Sequence, residues 1–224
     1  MPSTIAEKIE RIDQAEQVAR KGRKLFVPGT MGWTEDDLDD PQIERQWLAG
    51  RFEIVEGVLA AMPPAYFDGT MALHKLMFRV QTHVDAHGPR GQFGPETDFV
   101  VGRNRVARVD AIFLTDEDQR QQEAAQRAQK KGRKLKYGRI RIRPTLVIES
   151  VSQGHEEHDR VTKLRWFAEF GLINYWVLDA YAKSLDCLVL DGGSYRVDQH
   201  GGDGDEVRPS LFPGLVLPLK EIWG

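Results

Sequence analysis

Pro144-Thr145-Leu146-Val147-Ile148-Glu149-Ser150-Val151-Ser152 is the stretch on which the fold turns. Leu146, Val147 and Ile148 form a short unbroken apolar run opened by a proline. That pattern predicts a strand buried on both faces, as in the middle of an α/β sheet. The run ends in Glu149, and a carboxylate at the tip of a buried strand is costly to desolvate unless it is paired, protonated or metal-bound. A polar turn follows at Ser152–Gly154. A helix is expected from about His155 to Phe170, with Gly171 as its stop. Within it Asp159 and Lys163 stand four residues apart on one face. The start of this helix then lies near the tip of the strand, so two carboxylates and a lysine can share a small space.

The second anomaly is Asp110, inside Val109-Asp110-Ala111-Ile112-Phe113-Leu114. Aspartate is disfavoured in strands and rarely buried unpaired; a bound cation is one of few things that favours it there. Around these two stretches the chain reads as alternating strands and helices. Gln92–Val101 and Arg105–Leu114 are predicted strands joined by a hairpin at residues 102–104. Residues 70–87 predict a helix with the apolar stripe Leu73, Leu76, Met77, Val80 and Val84. Arg51–Ala61 predicts a strand pair turning at Glu56-Gly57. Glu53 there reads equally well as an exposed edge residue or as a site residue. Strands are expected at Ile173–Leu178 and in a hairpin of Leu185–Leu190 with Tyr195–Val197. The N-terminal Ile5, Ile9 and Ile12 fall at helical spacing.

Composition bounds the function. The 224 residues suit one domain with an appended segment. The net charge of -3 gives no global pull toward nucleic acid, so such a partner would need a local patch. One is available: Arg127, Lys130, Lys131, Arg133, Lys134, Lys136, Arg139, Arg141 and Arg143 are interrupted by no acidic residue. Runs of this kind neutralise phosphates, although a solvated connector would look the same. The single cysteine, Cys187, excludes an intrachain disulfide and a multi-cysteine zinc site; its apolar neighbours suggest a buried structural thiol. No apolar run reaches the ~18 residues of a membrane span, and the charged N-terminus is no signal peptide. A cytoplasmic protein without a membrane partner is the default expectation.

The chemistry that fits these anomalies is metal-assisted phosphodiester cleavage. Asp110 and Glu149 would hold a hard divalent cation, and Lys163 would orient water or neutralise developing phosphate charge. The bland alternative for Asp159 and Lys163 is a surface ion pair of about 0.3–0.5 kcal/mol. His83 and His87 have zinc-compatible spacing but no further ligands nearby. A zinc hydrolase built on histidines is therefore disfavoured.

The sequence also resembles a known family. Arg51-Phe52-Glu53-Ile54-Val55-Glu56-Gly57-Val58-Leu59, Met62-Pro63-Pro64, His74, Glu96-Thr97-Asp98-Phe99, Val109-Asp110-Ala111-Ile112-Phe113, Val147-Ile148-Glu149-Ser150-Val151-Ser152, Asp159, Lys163, Gly171–Asp179 and Leu211–Leu215 carry the likeness. In order and spacing they are similar to the Uma-type restriction endonucleases, a branch of the PD-(D/E)XK nuclease superfamily. The resemblance implies a restriction-endonuclease-like α/β core with a mixed central sheet flanked by helices. It implies Glu53, Asp110, Glu149 and Lys163 as catalytic residues. Asp110 and Glu149 would be metal ligands, with Glu53 and His74 as further candidates and Mg²⁺ or Mn²⁺ as the cofactor. Two departures stand out: Val109 replaces the usual proline before the aspartate, and Val151 occupies the usual lysine position, so Lys163 must supply the amine. The partner implied is DNA, bound through Lys130, Lys131, Arg133, Lys134, Lys136, Arg139 and Arg141, and a homodimer is compatible with the pattern. Residues 1–30 are expected to form a helical extension. Residues 31–224 are expected to form the nuclease-like domain, with a basic insertion at about 116–143. The competing expectation is a nuclease-fold protein that binds nucleic acid or regulates without cutting.

Overall fold

The computed structural model describes residues 24–64, 66–129, 138–151 and 161–223. The N-terminal amphipathic segment, residues 130–137 and residues 152–160, with His155 and Asp159, lie outside the described residues. The chain divides into two compact units. One takes the chain up to Pro64 together with Gly102–Arg108, and the other takes Ala65–Val101 and Val109 onward.

In the first unit, β1 (Phe52–Val55) and β2 (Val58–Ala61) pair antiparallel through the expected turn. Glu56 and Gly57 both have positive φ, 50° and 79°, as a tight right-twisted hairpin requires. Ile54 of β1 lies opposite Val106, at the start of β4 (Arg105–Thr115). Helix α1 (Pro41–Leu48) starts at Asp40, whose carboxylate accepts the Gln42 N–H at 2.7 Å. Proline at the first helical position forfeits a donor that has no helical partner anyway. Trp33, Leu38, Ile43, Trp47, Ile54 and Leu59 are buried and form the apolar centre of this unit.

In the second unit, β4 continues beside β3 (Gly91–Gly102) and pairs antiparallel with β5 (Leu146–Ser150). β5 runs parallel to β6 (Asn174–Asp179), which pairs antiparallel with β7 (Ser184–Asp191), and β7 with β8 (Ser194–Gly201). The sheet is mixed, as the family resemblance implies, and mostly antiparallel. Short strands β9 (Glu206–Val207) and β10 (Leu217–Pro218) form a separate pair.

Helix α2 (Phe67–His87) starts three residues earlier than its periodicity predicts. It buries Ala72, Leu73, Leu76, Val80 and Val84 against Ala111, Phe113, Leu146, Ile148, Trp176 and Cys187. Helix α3 (Asp116–Gln129) is polar, as its composition predicts, but Gln122 is buried. Its amide donates to the Arg139 carbonyl (2.7 Å) and accepts from the Arg141 N–H (3.1 Å). Ile140 bridges Phe99 in parallel, so the chain returns from the basic run as an extended segment against β3. Helix α4 (Lys163–Phe170) is entered through a π-helical turn at Val161–Thr162. It stops at Gly171, with φ 85°. Gly171 N–H bonds Ala168 O and Leu172 N–H bonds Phe167 O, satisfying carbonyls the helix end would orphan. The chain ends in a short helix, α5 (Lys220–Trp223).

Candidate active site

Strand alternation decides which side chains meet. Leu146 and Ile148 point into the core beneath α2, so Val147 and Glu149 point to the opposite face. On that face Phe167 of α4 packs edge-on against Tyr175 of β6, their ring centroids 5.0 Å apart. Helix α4 therefore lies over the face that carries Glu149. The pairing of β4 with β5 sets Ala111 opposite Ile148 and Ile112 opposite Val147. One step further in the same register, Asp110 faces Glu149, on the same side of the sheet. Cβ atoms of directly opposed residues lie roughly 4.5–5.5 Å apart.

The first turn of α4 brings in the amine. Lys163 Nζ donates to Glu149 Oε1 at 2.9 Å, and both residues are about 1% exposed. Lys163 is thus a buried partner of the strand-tip glutamate; its alternative pairing with Asp159 falls on a residue outside the described ones. Desolvating either charge alone would cost several kcal/mol, so each makes the other tolerable. Asp110 is half-buried rather than enclosed. Its Oδ2 accepts the Ser150 N–H at 2.8 Å, which anchors it at the residue after Glu149. Asp110, Glu149 and Lys163 thus gather at the end of β5, and half-buried Asp110 and Ser150 are where this cluster meets solvent.

The remaining candidates are placed differently. Glu53 is fully buried in the first unit, where its Oε1 accepts the Arg108 N–H at 3.0 Å. The Arg108 guanidinium donates to Gly50 O at 2.6 Å and lies over Trp47, 5.3 Å from the ring centroid. An exposed edge position for Glu53 is excluded. His74 is exposed on α2, the helix that covers the other face of β5 from Glu149, so it is not brought to the carboxylate pair. Of the basic set, Lys130, Lys131, Arg133, Lys134 and Lys136 lie outside the described residues. Arg141 is half-buried, and Arg139 is only 6% exposed, contrary to the solvated, phosphate-facing position expected of it. Gln122 and the Phe99–Ile140 bridge draw that end of the run into the body.

The histidine alternative gains nothing. His83 and His87 stack at 4.6 Å, His83 Nε2 donates to Pro213 O, and His87 Nδ1 donates to His83 O. Among the described residues no three His, Cys, Asp or Glu side chains are grouped as metal ligands. Cys187 is buried, and that burial, with Asp198 and Asp186 nearby, pushes its thiol well above the usual range. It is a structural thiol, as its apolar neighbours predicted.

One pairing was hidden from the sequence. His200 of β8 donates from Nδ1 to Asp186 Oδ1 of β7 at 2.7 Å. The two stand 14 positions apart, and only the register Asp186↔His200 makes them neighbours. An aspartate alternating with buried Leu185 and Cys187 was the available signal.

The carboxylate pair suits a magnesium-type ion. Such ions take one or two carboxylates and fill the rest of their shell with water and substrate phosphate. Asp110 and Glu149 offer hard oxygen donors, and no sulfur or imidazole ligand is grouped with them among the described residues.

Comparison with known proteins bears on the fold and the family. No curated protein matches the sequence. Among solved structures, the crystal structure of "a putative nuclease belonging to DUF820" from Anabaena variabilis ATCC 29413 is similar. Its TM-score is 0.56 at 15% identity, with 77% of this chain and 89% of that chain covered, a likeness of fold. No helix among the described residues is long and apolar enough to cross a membrane. The family model described as "Uma2: Putative restriction endonuclease" matches residues 42–220, and the chain belongs to the Uma2 family.

Proposed function

We propose that the protein is a divalent-metal-dependent endonuclease that hydrolyses phosphodiester bonds of DNA at Asp110, Glu149 and Lys163. The observation that carries this reading is the buried contact between Lys163 Nζ and Glu149 Oε1 beside an aspartate anchored at Ser150. A lysine brought to a strand-tip carboxylate from a following helix supplies the amine that Val151 cannot. Asp110 and Glu149 would hold Mg²⁺ or Mn²⁺; when bound, the ion polarises the phosphate and makes water more nucleophilic. Lys163 has two roles in this reading. In the resting protein it neutralises Glu149. In the transition state its Nζ donates to the phosphate oxygens as charge builds on them. The ammonium is already desolvated and oriented, so little reorganisation accompanies the reaction.

Lys130, Lys131, Arg133, Lys134, Lys136 and Arg141 would bind the DNA backbone, adding affinity without sequence information. We also take residues 1–30 as an extension and about 116–143 as an insertion on the nuclease-like domain. The closure of Lys163 on Glu149 favours one second reading, a nuclease-fold protein that binds DNA without cutting, because the pair competes with a cation for Glu149. Incubating supercoiled plasmid DNA, and separately RNA, with the protein in Mg²⁺, Mn²⁺ or EDTA tests the proposal. Nicking or linearisation of DNA that EDTA stops is expected. DNA binding without cleavage in either metal would favour the second reading.

A further inference from the structure

The sheet registers place more than the carboxylate pair on one face. Glu149 lies beside Val177 of β6, Val177 beside Asp186 of β7, and Asp186 beside His200 of β8. With Asp110 opposite Glu149, the row Asp110–Glu149–Val177–Asp186–His200 crosses the second unit on the side that carries Lys163. From Glu149 to His200 its members sit one or two residues from the ends of β5 (Ser150), β6 (Asp179), β7 (Ser184) and β8 (Gly201), so this part of the row follows the rim of the sheet, while Asp110 lies in the middle of β4. Adjacent strands lie 4.7–4.9 Å apart, which puts His200 roughly 14 Å from Glu149. That span matches about four phosphates along the axis of one duplex strand, at ~3.4 Å each.

The rim is equipped for such a strand. Asp186 Oδ1 accepts from His200 Nδ1, which leaves Nε2 facing outward on a residue whose side chain is 59% exposed; in the imidazolium form both ring nitrogens donate. The turn between β6 and β7 holds Tyr181 out, 89% exposed, because Asp179 Oδ1 accepts the Tyr181 and Ala182 N–H groups. Lys183 follows in the same turn. The rim carboxylates are held by local contacts: Asp179 by those amides, Asp186 by His200, Asp205 by the Gly202 N–H, and Asp203 by Lys183 at 3.2 Å.

We propose that this rim is the DNA track of the enzyme, with Tyr181 stacking on a base and the His200 imidazolium donating from Nε2 to a phosphate a few nucleotides from the cleaved bond. The inference rests on the reading of Asp110, Glu149 and Lys163 as the cleavage site. Tyr181 and His200 are positioning residues, His200 lying roughly 14 Å from Glu149 by the strand spacing.

The test is fluorescence anisotropy of a labelled DNA 20-mer with the full chain in Ca²⁺, followed by cleavage kinetics in Mg²⁺. Tyr181→Ala and His200→Ala are each expected to weaken binding about fivefold to tenfold. They should raise KM by the same factor and change kcat less than twofold. Tyr181→Phe, which keeps the ring, and His200→Arg, which keeps a phosphate donor, should restore affinity. On a dinucleotide phosphodiester, too short to reach the rim, the ratio of variant to wild-type KM should fall to about one. DNA affinity unaltered in both alanine variants would overturn the track and leave the cleavage site standing. A matching loss on the dinucleotide would also overturn it, since the residues would then act through the fold. Wild-type protein with no affinity for DNA would overturn the track and the proposed function together.

Discussion

Removing the amine of Lys163 is expected to destabilise the protein in a way that metal repairs. Lys163→Met keeps an apolar stem of similar length and deletes the charge. Glu149 is then left with a side chain 2% exposed and without the ammonium that lies 2.9 Å away in the wild type. Breaking a pair this deeply buried costs about 3–5 kcal/mol, most of it the penalty of an uncompensated charge. For a chain of this size each kcal/mol lowers Tm by about 2–4 °C, so a fall of roughly 6–20 °C is expected in EDTA. A divalent cation restores positive charge to Glu149 and binds the folded chain alone. At 100 times its Kd it adds about 2.7 kcal/mol, recovering about half or more of the loss. The Mg²⁺-induced gain should exceed that of the wild type at equal concentration, because the ion no longer competes with Lys163. The double variant Glu149→Leu/Lys163→Met completes the cycle: with both charges gone it should match the wild type or exceed it, and ignore metal. Urea and thermal melts in EDTA and in Mg²⁺, with Glu149→Leu as the fourth protein, read the whole cycle. A Lys163→Met loss under about 1 kcal/mol would refute the reasoning. So would a double variant as unstable as the single one, because the loss would then be one of packing.

Other consequences follow from the same geometry. Glu53→Ala strands the buried Arg108 N–H and should cost about 1–3 kcal/mol in urea melts, whereas Glu53→Gln keeps the acceptor and most of the stability; equal losses would shift the role from acceptor to charge. Neutralising Lys130, Lys131, Lys134 and Lys136 should flatten the salt dependence of DNA affinity, by about 0.9 in log–log slope for each phosphate no longer neutralised. An unaltered slope would make the segment a connector. Burial raises the Cys187 thiol, and it raises the Tyr195 hydroxyl too. Both groups therefore bind protons more tightly folded than unfolded. Stability is fully present below the unfolded thiol value, about 8.5, and declines above it by up to about 1.4 kcal/mol per pH unit for each group titrating. Cys187→Ala should remove the part of that decline that begins near pH 8.5, and urea melts from pH 7 to pH 10 would show it.

The legible parts of the chain were those set by local chemistry. The apolar run Leu146–Ile148, the turn at Glu56-Gly57 and the stop at Gly171 each follow from a few adjacent residues, and all three stand where expected. Asp110 and Glu149 were conspicuous because charge inside an apolar strand is costly wherever the strand ends up. Pairing was less accessible. Lys163 had two visible partners in the sequence, Asp159 on its own helix and Glu149 at the strand tip; that it meets Glu149 depends on which face of the sheet α4 covers. The same holds for Asp186 and His200, which only the β7–β8 register joins. Arg139 looked solvated because its neighbours are basic. It is buried because Ile140 pairs with Phe99 and Gln122 grips the backbone on either side. Nothing in the composition of a polar helix marks one of its glutamines as that clamp.

The central claim is that Asp110, Glu149 and Lys163 act together on a phosphodiester. Single-turnover cleavage of a DNA duplex in Mg²⁺ by wild-type protein and Lys163→Ala, with enzyme in excess so that binding is saturated, addresses it most directly. Wild type is expected to cleave. Lys163→Ala is expected to bind the duplex and the metal but to cleave about 10²-fold or more slowly, because it lacks a group needed mainly in the transition state. A Lys163→Ala variant that cleaves at the wild-type rate would contradict the claim.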